Sequence, residues 1–131
     1  MTQTDVRQLE QPPPTADRPD VEALVAGTTA GLPPTAQTFY AVVNADGSLA
    51  RGFQAVETRN LGTGFYEVIF NVDVTESAYI ATIGSPATSG IEQTGEITVV
   101  GRAGTPNGVF VTTTDSAGTF ANRGFHIAVH S

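Results

Sequence analysis

Cysteine, tryptophan and lysine are all missing from this 131-residue chain. Without cysteine there is no disulfide framework and no thiolate to act as nucleophile or metal ligand. Without tryptophan the largest aromatic stacking surface is gone, which weakens a sugar-binding reading. Without lysine, and with six arginines scattered along the chain, no basic patch exists to neutralise phosphates. Nucleic acid is therefore not an expected partner, and neither is an anionic membrane surface. No apolar run is long enough for a transmembrane helix, so membrane insertion is not expected. Met1 leads into Thr-Gln-Thr-Asp, with neither a basic n-region nor an apolar h-region. A secretory signal is thus not expected in this stretch. The expected setting is synthesis in the cytoplasm without a signal peptide, with particle association or a non-Sec route as the ways to an extracellular site.

The chain has 13 acids and a net charge of −7. Apolar residues make up 40% and charged residues 15%, and the second figure is well below the globular norm of about 25%. Low charge with abundant Thr, Gly and Ala suits a β protein with small polar surfaces. The length allows one domain with an appendage.

The appendage is expected at residues 1–37. Gln11-Pro12-Pro13-Pro14 favours an extended polyproline conformation, because each proline fixes φ and lacks a donor. Two readings stand for this stretch: a disordered linker, or one or two helical turns over 20–26, with Pro19 near the first position, acids in the first turn and Gly27 as the stop. The helix would carry a stripe of Val21, Leu24 and Val25, suited to docking on the body or on a neighbour. Gly31-Leu32-Pro33-Pro34 then enforces an extended approach to the first strand.

From residue 38 the chain becomes a series of short alternating runs separated by Gly, Pro, Asn and Asp. Strands are expected at 38–43, 48–51, 53–58, 65–71, 78–83, 96–100, 109–114 and 125–130, some of them merging across a bulge at Gly52. Their starts recur roughly every 12–15 residues with no helical period between them, which fits antiparallel connections and not βαβ crossovers. The fold class is therefore all-β: a single antiparallel β-sandwich or small barrel of about seven strands with an extended N-terminal arm. In the last strand Phe125, Ile127 and Val129 share one face, expected to be core, and His126, Ala128 and His130 share the other. A strand this apolar at a chain end is expected to be central or interface-forming, not frayed.

Three segments resemble a known, poorly characterised family. They are Tyr40-Ala41-Val42-Val43-Asn44-Ala45-Asp46-Gly47-Ser48-Leu49-Ala50-Arg51-Gly52, Gly64-Phe65-Tyr66-Glu67-Val68-Ile69-Phe70-Asn71 and Phe125-His126-Ile127-Ala128-Val129-His130. The family is a small C-terminal β-domain of actinobacterial and other bacterial proteins, some with stalk-like or fibre-like upstream regions. The resemblance implies two positions where family members often carry cysteine. Here they hold Ser77 and Ser131, so a strand-to-terminus disulfide of the family would be lost.

No constellation for chemistry stands out. His126 and His130 point to one strand face but lie about 13 Å apart, so a single chain cannot chelate a metal with both. Copies of one histidine around a symmetry axis would be needed. The carboxylate pairs Asp73 with Glu76 and Glu92 with Glu96 lie in or beside loops, with nothing to hold them across a cleft. Asn71-Val72-Asp73 lacks the dense acidic pattern of a calcium loop. No nucleophile elbow or phosphate-cradling loop occurs. No catalytic residue, cofactor or resident metal is therefore expected, and the chain reads as a non-enzyme.

In the adjacent aromatic pairs Phe39-Tyr40 and Phe65-Tyr66 one ring must face outward. Tyr40 and Tyr66 are taken as interface residues with Val21, Leu24, Val25, His126, Ala128 and His130. The expected function is a structural or adhesion module of a fibre tip or particle, self-associating as a homotrimer by fold-level analogy. Its N-terminal arm would dock to a larger assembly. The alternative is a carbohydrate-binding module, with glycan held by the 85–95 and 101–108 loops.

Overall fold

The computed structural model describes residues 10–14 and 37–131. Eight strands follow in order: β1 (Thr38–Val43), β2 (Leu49–Phe53), β3 (Ala55–Gly62), β4 (Phe65–Phe70), β5 (Ala78–Ile83), β6 (Glu96–Gly101), β7 (Gly108–Thr114) and β8 (Phe125–His130). They form two four-stranded antiparallel sheets, ordered β2-β1-β8-β5 and β3-β4-β7-β6. The chain is thus an all-β sandwich. Among the described residues there is no helix. The stretch 20–26 with Val21, Leu24 and Val25, read as linker or helix, lies outside them.

Alternation builds the core. Phe39, Ala41 and Val43 of β1, Tyr66, Val68 and Phe70 of β4, and Phe125, Ile127 and Val129 of β8 all point between the sheets and are buried. Val109 and Val111 of β7 complete the opposite layer. The rings lock the two layers together. Tyr66 meets Phe125 edge-on at 5.1 Å, and Phe39 lies 6.4 Å from Phe70. β8 pairs with β1 on one side and β5 on the other, so the last strand is central, as its apolar content required.

The strand count exceeds the expected seven because the chain changes sheets within the 48–58 run. Gly52 is not a bulge there. It sits inside β2 opposite Ala41, where a Cβ would come within 2.7 Å of the Tyr40 carbonyl oxygen. The change of sheet falls at Gln54, which adopts a left-handed φ of 64°. Its carbonyl accepts from the Asn71 amide at 2.8 Å, tying the corner to the end of β4. No glycine or proline marks this position, so the chain does not announce it.

The registers also fix the two ends of the sandwich. One end carries the segments 84–95 and 115–124, where Ile83, Phe125 and Val43 are paired neighbours. The other carries 71–77, 102–107 and the C-terminus, where Ala78, His130 and Thr38 are paired neighbours. At that second end the Ser77 hydroxyl donates to the Ser131 hydroxyl at 3.3 Å, and the Ser131 amide donates to the Gln37 carbonyl at 3.0 Å. The two serines noted above are thus neighbours in space.

Two outcomes follow from this packing. Phe70→Ala or Ile127→Ala should each destabilise by about 2–5 kcal/mol in urea melts, since both side chains are buried in the core and leave cavities. A loss under about 0.5 kcal/mol would mean the inward face is misassigned. Second, Ser77→Cys with Ser131→Cys should oxidise spontaneously and close a loop spanning 54 positions. The chain-entropy account puts the gain near 4 kcal/mol. Failure to form the bond under mild oxidant would contradict the placement of the C-terminus.

Candidate functional site

The outer face of the first sheet is the clearest candidate surface. Its central row is Tyr40, Ala128 and Ile80, in register across β1, β8 and β5. Tyr40 is 42% exposed and Ile80 60%, with Ala128 low between them. Val42 and His126 form the next row, and Thr38 and His130 the one on the other side. The first two rows, Tyr40, Ala128, Ile80, Val42 and His126, line a shallow depression of about 320 Å³; Thr38 and His130 lie beyond it.

The 84–86 segment closes one end of this depression. Ser85 offers its carbonyl to His126 Nε2 at 3.0 Å, and a carbonyl only accepts, so that nitrogen carries the proton. Arg51 Nη1 donates to the Pro86 carbonyl at 3.1 Å from the far edge of the sheet. His130 Nδ1 lies 3.2 Å from the Thr38 hydroxyl. Tyr40, His126, Ala128 and His130 are therefore brought together on one face.

Tyr66 is not with them, which corrects its assignment to an interface. Strand β4 opens on Phe65, and the period of two sends Phe65 outward and Tyr66 into the core. Tyr66 is fully buried, and its hydroxyl donates to the Ala45 carbonyl at 2.6 Å.

Phe65 instead floors a groove of about 530 Å³ on the outer face of the second sheet, with Phe110 and Phe120. Phe65 stands 4.9 Å from Phe120 and 5.8 Å from Phe110. The Thr98 and Thr112 hydroxyls share a hydrogen bond across β6 and β7. Glu10 and Gln11 of the arm form part of the wall.

Beside this groove lies a feature that sequence reasoning missed. Glu67 points outward from β4, yet its side chain is fully buried. Arg102, from the loop between β6 and β7, covers it and is itself fully buried. Arg102 Nε donates to Glu67 Oε1 at 2.8 Å. The rest of the guanidinium faces the arm. Nη1 donates to the Pro12 carbonyl at 2.6 Å and Nη2 to the Pro13 carbonyl at 2.9 Å. Gln11 adds a second anchor: its Oε1 accepts from the Ala103 amide at 2.6 Å, and its Nε2 donates to the Gly101 carbonyl at 2.8 Å. Pro14 rests on Gly104, where φ is 70° and a Cβ would come within 2.8 Å of the proline ring. The only outward sign was an acid in the middle of the most apolar strand.

The remaining candidates have local roles. Asp73 Oδ1 accepts from the amide and hydroxyl of Thr75, capping its own turn. Glu92 accepts from the Gln93 amide, while Glu96 borders the groove on the second sheet. Among the described residues no group of three His, Cys, Asp or Glu could hold a metal ion. The 85–95 and 101–108 loops lie at opposite ends of the sandwich, about 20 Å apart along the strands, so they do not form one binding site. The first lines a polar recess without aromatic residues. The second holds the arm.

Burial raises the Tyr66 phenol above its ordinary 10.0. Tyr79 is raised as well, by burial and then by the Asp73 carboxylate. The folded state therefore holds these protons more tightly than the unfolded chain does. Their stabilisation is complete below pH 10 and drains away as pH rises through the folded values. Urea midpoints should be flat from about pH 8 to 9.5 and fall beyond. Tyr66→Phe should cost about 1 kcal/mol at the lower pH and soften the alkaline fall. An identical alkaline slope in the variant would contradict the role given to Tyr66.

No family model, curated protein or solved structure matches the chain.

Proposed function

We propose that this chain is a non-enzymatic structural or adhesion module that self-associates through the outer face of its first sheet. One observation carries the reading. The strands of that sheet, β1, β2, β5 and β8, contain no Asp or Glu, although the chain carries 13 acids and a net charge of −7. A strongly acidic protein repels its own copies everywhere except where carboxylates are missing. The acid-free face is also where Tyr40 and Ile80 stand exposed. Contact there removes apolar surface from water without burying like charges. Ala128, low between Tyr40 and Ile80 in the register, admits a side chain from a second copy.

A homotrimer is the proposed state, on the analogy with β-sandwich fibre tips and particle-decorating proteins; a cyclic contact of this kind closes. The arm is the proposed tether to a larger assembly. A second reading has one observation behind it. The Phe65–Phe110–Phe120 floor and its threonine and glutamate rim suit a small glycan or similar ligand, with the rings beneath and hydroxyls beside it. A glycan array tests that reading directly.

Light scattering tests the first. The wild type should exceed the single-chain mass of 13.6 kDa, with three times that mass for the trimer. Ile80→Glu should return it to one copy, because it buries a carboxylate in the contact. Val56→Glu, at an exposed position of β3 in the other sheet, should leave the mass unchanged. A wild type that runs as a monomer at high micromolar concentration would sink the proposal.

A further inference from the structure

The Arg102 site is built to hold a particular kind of segment. A guanidinium withdrawn from water needs acceptors for its donors. Glu67 takes Nε–H, and the Pro12 and Pro13 carbonyls take one donor from each terminal nitrogen. A proline-rich segment suits this environment. Prolines bring strong carbonyl acceptors and no N–H that would be left unpaired on burial. Their restricted φ also lowers the entropy lost on docking. Gln11 sets the register through its side-chain amide, which pairs with both the Gly101 carbonyl and the Ala103 amide. Pro14 fits over Gly104, where any side chain would collide.

The seat does not distinguish its own arm from an identical one. Residues 15–36 separate the segment from Gln37, and that length spans up to about 75 Å when extended. A domain of this size has a diameter of only about 35 Å. The arm of one copy therefore reaches the seat of an abutting copy. Exchange of identical elements between copies costs little once they are neighbours.

We propose that the Arg102 seat is an arm receptor which, in the assembly, takes the Gln11–Pro14 segment of an adjacent copy. This inference rests on the self-association reading above. It makes the arm and the sandwich two halves of one interaction: the sheet face brings copies together, and the exchanged arm latches them. The seat is at the end of the sandwich where β1 begins, close to where the arm enters the fold.

Thiol cross-linking tests this, because the chain has no cysteine of its own. One full-length preparation carries Glu10→Cys and another Ala103→Cys, at exposed positions flanking the Gln11–Ala103 contact. The two are refolded together and treated with a short bismaleimide. A two-chain product is expected. It should fall at least tenfold when Gln11→Ala is added to the first chain or Arg102→Gln to the second, since each removes two or more of the hydrogen bonds between arm and seat. Gln11→Ala keeps the test valid if Arg102→Gln fails to fold, since Gln11 lies outside the sandwich. A chain carrying both cysteines reports docking within one copy. If cross-links form only within chains while the mass is still oligomeric, exchange is overturned and self-association stands. A two-chain product indifferent to both substitutions overturns the seat. A monomeric mass with no two-chain product overturns both readings.

Discussion

Everything in this fold depends on the last strand being hydrogen-bonded on both sides. Strand β8 pairs with β1 through six residues and with β5 through six. These two ladders are what make the first sheet a sheet. The strands arrive from distant parts of the chain, so the sheet cannot close until residue 130 is in place. Strand β8 also divides its residues between two tasks. Phe125, Ile127 and Val129 fill the core, while His126, Ala128 and His130 form the middle of the outer face. A slip of one residue would exchange these sets and lose both the core and the face.

The second sheet solves a different problem. Its central strand β4 would leave a carboxylate on an apolar outer face. Glu67 is instead paired with Arg102, and both side chains are withdrawn from water. Breaking such a pair by removing one partner leaves a buried charge uncompensated, at a cost of roughly 3–5 kcal/mol. The pair is therefore weakly favourable in itself but strongly specifying. Arg102 is held best when its remaining donors are met; the Pro12 and Pro13 carbonyls meet two of them, and Gln11 Oε1 accepts a further one from Nη1 at 3.3 Å. The charge of Glu67 is in this way coupled to the seating of the arm.

Most of the sandwich was legible because each core strand pays out its apolar residues with a period of two. The boundaries of β1, β5 and β8 coincide with the expected runs, and the inward sets of β8 and of Phe39-Tyr40 were correctly split. The turn between sheets at Gln54 was not legible. Its left-handed φ is imposed by the Asn71 contact, a tertiary demand with no local signature. Tyr66 was misplaced because an aromatic pair states only that one ring faces out, and the start of β4 decides which. Arg102 escaped notice because a lone arginine in a Gly-Arg-Ala-Gly stretch reads as solvated loop. Its burial comes from a strand 35 positions away and an arm about 90 positions away, a convergence that no local pattern encodes.

The division of charge between the sheets gives these separate features a common logic. Carboxylates of the described strands occur only in the second sheet, at Glu57, Glu67 and Glu96. There Glu57 and Glu67 lie close to Arg59, and Glu67 is closed over by Arg102. The first sheet has none, and the outer rows across β1, β8 and β5 are made of Tyr, Ile, Ala, Thr and His with Val42 buried among them. In a chain with a net charge of −7, acids placed evenly would make every face repel a second copy equally. Among the described residues, their placement on loops and on one sheet leaves the other face as the direction of least repulsion. That bias acts over the range of the screened field, about 8–10 Å at physiological salt. In the proposed assembly it would orient two copies before their side chains touch. The apolar row would then supply the short-range gain that a screened field cannot, and the same orientation would bring the arm of one copy within reach of the other.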